Sequence, residues 1–92
     1  MRKYIIEREL PGIGAMSPAE LGAAATQSNR ALAELSPSVQ WQSSYIAGDK
    51  SFCVYLAEDE AAVLRHADLS GFPANTITEI RRVIDPTTAT TG

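Results

Sequence analysis

A chain of 92 residues, 45% hydrophobic and 21% charged, suffices for one soluble globular domain and is too short for two cores. Its net charge of −3, with eight basic residues spread thinly along the chain, argues against a nucleic-acid partner. One cysteine excludes an internal disulfide, and no apolar run reaches the length of a membrane span or a signal h-region, so a cytoplasmic protein is expected.

The first expected strand covers residues 3–10, KYIIEREL, and breaks at Pro11-Gly12. Ser17-Pro18-Ala19-Glu20 then reads as a capping box with proline in the first turn. Leu21, Ala25, Ser28, Leu32 and Leu35 follow at alternating steps of four and three, one stripe of an amphipathic helix that Ser36-Pro37 ends.

Residues 39–47 and 51–57 are β-rich and joined at Gly48-Asp49, which predicts a hairpin with a type II′ turn. In that register Tyr45 faces Phe52, Ser43 faces Val54 and Trp41 faces Leu56. These six form the expected core face, and Gln42, Ser44, Cys53 and Tyr55 point to the other side. A slip of one residue would exchange the two faces.

Residues 58–70 read as a second helix with Glu58, Asp59 and Glu60 at its start and Gly71 as its stop. Residues 76–84 alternate as a last strand, with Ile80 and Ile84 expected inward. Tyr4 and Ile6 are likewise expected inward on the first strand. Residues 1–86 then make one domain, and 87–92 a polar tail.

The order β-α-β-β-α-β predicts an α+β, ferredoxin-like fold: a four-stranded antiparallel sheet with both helices on one face. The other face is left for a partner. The alternation assigns it Ile5, Glu7, Ser44, Cys53, Tyr55, Ile77, Glu79, Arg81 and Val83.

The segments YIIERELPG, WQSSYIAGDKSFCVYLAEDEA and RHADLSGFPANTITEIRRVIDP together resemble a small family of ferredoxin-like proteins of unknown function, across residues 4–86. A member of that family binds nickel and is thought to sequester or detoxify it. The resemblance implies a homodimer whose two sheets pack face to face into an α+β barrel, and a small nickel-binding protein involved in sequestration or homeostasis.

The residues themselves offer two chemistries. His66 is a candidate nickel ligand, since imidazole suits that ion, and Cys53 is a second candidate. Their plainer readings are a hydrogen-bonded helix histidine and a buried small hydrophobe. No C-x-x-C or H-x-x-x-H spacing strengthens the metal reading. Glu7, Ser44, Tyr55 and Glu79 form the other set, expected to line a polar cavity on the open face. Two close carboxylates would hold one proton between them and supply an acid or base. The plainer alternative is an ion pair of either glutamate with Arg81. A small-molecule binder or enzyme using this cavity is therefore the competing function; whether it is an enzyme stays open.

Overall fold

Tyr4, Ile5 and Ile6 sit at the centre of the first strand, β1 (Arg2–Glu9), in a computed structural model that describes residues 1–90. The capping box forms as the sequence predicts. Ser17 Oγ accepts from the Glu20 amide at 3.2 Å, Glu20 Oε1 accepts from the Ser17 amide at 3.1 Å, and α1 (Pro18–Leu35) begins there. Ser28 and Ala31 are its buried residues, with Leu21, Ala25, Leu32 and Leu35 half-buried beside them.

The hairpin pairs β2 (Val39–Ile46) with β3 (Lys50–Ala57). Near its tip the register is the expected one, Tyr45 opposite Phe52 and Ser43 opposite Val54. The expected type II′ turn is absent, because Gly48 does not take a positive φ. The turn is tied instead to the loop after β1. Gly14 N donates to Gly48 O and Leu10 N to Asp49 O, each at 2.9 Å, while Gly12 N donates to Asp49 Oδ1 at 2.8 Å. The approach is close enough that a Cβ at Gly14 would lie 2.5 Å from the Ala47 carbonyl oxygen.

Asp59 caps α2 (Glu60–Ser70), accepting from the Ala62 amide at 2.8 Å, and Gly71 ends it in the left-handed conformation at φ 77°. The last strand, β4 (Thr76–Ile80), stops earlier than expected; Val83 and Ile84 beyond it are 71% and 75% exposed. Pro86–Thr90, which takes in residues 87–90 of the expected polar tail, forms a 3-10 turn, and 91–92 lie outside the described residues.

The strands order as β2-β3-β1-β4, all antiparallel, which is the expected ferredoxin-like sheet. Both helices cover the face that carries Tyr4, Ile6, Cys53, Tyr55 and Ala57. Ala62 and Val63 of α2 and Leu32 and Leu35 of α1 complete this core.

This reverses the expected facing of the hairpin. Cys53 and Tyr55 lie under the helices, because the β1 register sets Tyr4 opposite Tyr55 and Ile6 opposite Cys53. Phe52, Val54 and Leu56 therefore share the open face with Ile5 and Glu7. A β-bulge between Trp41 and Ser43 shifts the phase of β2, so Trp41 meets Tyr55 rather than Leu56 while Ser44 meets Cys53. Trp41 and Ser44, expected on opposite faces, consequently share the covered one.

The last strand is rephased too. Ile77 lies opposite Ile6 and packs on the core, whereas Ile80 lies opposite Lys3 on the open face.

Candidate functional site

The covered face has two unlike ends. Toward Val39, Ala57 and Val63 it is filled by side chains that are 2% exposed or less. Toward Arg8, Ser51 and the first half of α1 it is hollow. A cavity of about 230 Å³ opens there between β1, the hairpin, the Ile13–Ala15 turn and α1. Its walls are mostly apolar, with Leu10, Ile13, Leu21, Ala24 and Ile46 among them. Polar side chains enter at a few points, the composition usual for a small-molecule site.

Arg8 is the unexpected one. It is 2% exposed, and its alternation with Tyr4 and Ile6 carries it to the covered face, where it lines the cavity. One guanidinium nitrogen donates to the Pro73 carbonyl at 2.6 Å, and the other lies 3.5 Å from the Tyr55 hydroxyl. The charge also sits about 6 Å from two aromatic rings, Tyr55 at 5.9 Å and Phe72 at 6.0 Å. Among the described residues no carboxylate accompanies it. The one ion pair among the described residues joins Arg2 to Glu79 at 3.6 Å, at the edge of the sheet.

Tyr55 does not supply the missing negative charge. Burial pushes its phenol above the usual tyrosine value, outweighing the pull of the nearby Arg8 cation, so it remains neutral at physiological pH.

His66 is fully buried on α2, its ring 5.1 Å from that of Tyr55. Burial first, and the Arg8 charge second, hold its pKa below the usual histidine value, so it too is neutral. Nε2 lies 3.1 Å from Ser28 Oγ, and Nδ1 is buried without a partner. We assign the proton to Nε2, because the opposite tautomer would bury an unsatisfied N–H donor. On β2, Trp41 Nε1 donates to Ser44 Oγ at 3.0 Å. Ser44 thus accepts from a ring N–H and keeps a hydroxyl hydrogen to donate, whereas Ser28, which accepts from His66, is also hydrogen-bonded to the Tyr55 hydroxyl. Both line the cavity.

The structure separates the four residues expected to share an open-face cavity. Ser44 and Tyr55 line the cavity under the helices. Glu7, opposite Phe52 and Thr76, lies on the open face, and Glu79, opposite Tyr4, lies on the covered side at its edge. The two glutamates occupy neighbouring strands but opposite faces of the sheet. They form neither a carboxylate pair nor an ion pair with Arg81; Arg2 is the partner of Glu79.

Of the two metal candidates, Cys53 lines the cavity, 3.6 Å from Ser51 Oγ, and His66 stands behind Ser28. Among the described residues no three or more His, Cys, Asp and Glu side chains converge on a common metal position. The donor set around His66 and Cys53 therefore does not fit a nickel chelate formed by one chain.

Arg8 was missed because a charged residue near a strand end is normally assigned to solvent. Its signal was parity, since it stands two residues after Ile6 and four after Tyr4, both expected inward.

A family model described as nickel responsive protein SCO4226-like matches residues 4–80. A solved structure, that of SCO4226 from Streptomyces coelicolor A3(2), superposes with a TM-score of 0.75 at 14% identity. The match covers 89% of this chain and 99% of that one, a likeness of fold. No curated protein matches the chain in sequence. Among the described residues no helix is long and apolar enough to cross a membrane.

Proposed function

We propose a ligand-binding role for this chain, which belongs to the SCO4226-like family of nickel responsive proteins: it holds a compact small molecule in the hollow end of its covered face. The observation that supports this is the cavity itself, apolar-walled, with Arg8, Ser28 and Ser44 directed at its space. The hollow is a solvent-open pocket of about 230 Å³ beside a filled core, with room for a compact guest. It is smaller than the roughly 300–1,000 Å³ of drug-sized sites, which restricts the ligand to a compact one. The only tryptophan, Trp41, lines the cavity and reports on occupancy. Small apolar probes such as hexan-1-ol should change its fluorescence saturably, and Ala25→Phe, which fills the space, should abolish the response. Probes of fitting size that leave Trp41 unaffected would defeat this reading.

The family's description as nickel responsive supports a second reading, and we propose under it that the chain binds nickel in sequestration or homeostasis. His66 and Cys53 are its candidate donors, and ligands beyond one chain's converging residues are needed to complete the coordination. Calorimetric titration with nickel beside zinc tests this, with His66→Ala and Cys53→Ser as the informative variants. Affinity unchanged in both variants removes these two residues from any metal site.

A homodimer is part of the same proposal. The open face carries Ile5, Phe52, Val54 and Leu56, half-buried in the isolated chain, with Lys3 and Glu7 of opposite charge on the same strand. A two-fold interface needs such a self-complementary patch, and two sheets meeting there would make the α+β barrel. Val54→Asp at its centre should convert a dimer into a 9.9 kDa chain in light scattering. A wild-type protein already monomeric at micromolar concentration would remove the dimer from the proposal.

A further inference from the structure

We propose that the ligand is a small organic carboxylate, anchored by Arg8 with its apolar body against α1 and the hairpin. This rests on the cavity being a binding site, and adds the charge of what it binds.

The argument starts from an imbalance. A guanidinium stays protonated at any physiological pH, and burying it without a counter-charge is costly. Arg8 is 2% exposed, and its protein acceptors are one carbonyl and, at 3.5 Å, one neutral phenol. The aromatic rings of Tyr55 and Phe72 offset part of the cost, but they bring no net negative charge. A second copy on the open face cannot supply the charge either, because Arg8 lies across the sheet from that face. Arg8 lines the cavity, which is where a counter-charge can approach it.

The remaining polar groups point the same way. No Asp or Glu lines the cavity. Ser44 accepts from the Trp41 ring N–H, so the hydrogen it has left is for donation. Ser28 and neutral Tyr55 share a hydrogen bond, which leaves one O–H of that pair for donation. The lining is thus biased toward donors around one fixed positive charge, and a carboxylate, with two acceptor oxygens and one negative charge, matches it. A phosphate dianion would bring twice the charge against a single cation in a mostly apolar pocket. The carboxylate therefore fits better.

Pairs with the same carbon skeleton test this in calorimetry at pH 7: hexanoate against hexan-1-ol, and benzoate against benzyl alcohol. Each carboxylate should bind at least tenfold more tightly than its alcohol, and Arg8→Gln should bring its affinity down to the alcohol's. Should Arg8→Gln fail to fold, Ser44→Ala serves as the second variant, with a several-fold loss for the carboxylate and a smaller one for the alcohol. Equal affinities within each wild-type pair would overturn the carboxylate assignment while leaving the cavity as a binding site. Binding of neither member would overturn both.

Discussion

The two ends of the covered face are built from the same strands and helices and are packed in opposite ways. At one end Tyr4, Ile6, Val39, Ala57, Ala62 and Val63 fill the space between sheet and helices, each 3% exposed or less. At the other, Arg8, Ser51, Cys53, Ser44 and Ser28 occupy the equivalent positions around a hollow. The closed end is what a chain this short needs for stability, since small domains bury little surface to spare. The open end gives up part of that stabilisation. The division runs along each element: α1 is alanine-rich and polar in its first half and carries Ala31, Leu32 and Leu35 in its second.

The contrast breaks most visibly if the closed end is emptied. Ile6→Ala, at a fully buried position, should cost about 2–5 kcal/mol of unfolding free energy in urea denaturation, a large part of the stability of so small a domain. A loss under ~1 kcal/mol would show that this end is no better packed than the other.

Overpacking sharpens the same comparison. Ala62→Leu in the filled end should destabilise by about 1–3 kcal/mol, because neighbouring side chains must leave their rotamers. Ala25→Leu, facing the cavity, should stay within about 0.5 kcal/mol of wild type or gain stability. Equal costs at both positions would mean that the hollow is not free space.

His66 lies between the two ends, packed on Tyr55 and Ser28 and under the influence of Arg8. Its folded pKa is below the unfolded value of roughly 6.5, so on acidification the unfolded chain takes up the proton first. The stability owed to neutral His66 is intact above about pH 6.5 and is lost as pH falls toward the folded pKa. Stability should fall with decreasing pH in that window, with a slope of at most about 1.4 kcal/mol per unit for one proton. In His66→Gln that component of the slope should vanish; if the acid profile does not change, His66 is not its source.

A modest effect is expected at Ser44→Ala, which leaves the Trp41 indole N–H without its acceptor. A cost of about 1 kcal/mol is expected, with a shift in Trp41 emission. Emission unchanged from wild type would show that the indole N–H finds another acceptor.

Several features of this protein were legible in the residues alone. The element order and the ferredoxin-like sheet follow from periodicity and breakers. The Ser17–Glu20 capping box and the Gly71 stop follow from local chemistry. The pairings Tyr45–Phe52 and Ser43–Val54 follow from the position of the Gly48-Asp49 turn. These depend on interactions a few residues long, which the sequence specifies directly.

Which face of β3 is buried was another matter. Phe52, Val54 and Leu56 are more apolar than Cys53, Tyr55 and Ala57, so hydropathy favoured the wrong side. Pairing with β1 decided it, by setting Cys53 and Tyr55 beside Ile6 and Tyr4. The bulge that brings Trp41 and Ser44 to one face, and the rephasing that separates Glu79 from Glu7, are likewise set by contacts distant in sequence. The same holds for the candidate site. Tyr55, Ser44 and Cys53 could be singled out one by one, but their convergence on a buried Arg8 required the sheet to be assembled. A strand's alternation says only that its two faces differ; the neighbours across the sheet decide which of them the helices cover.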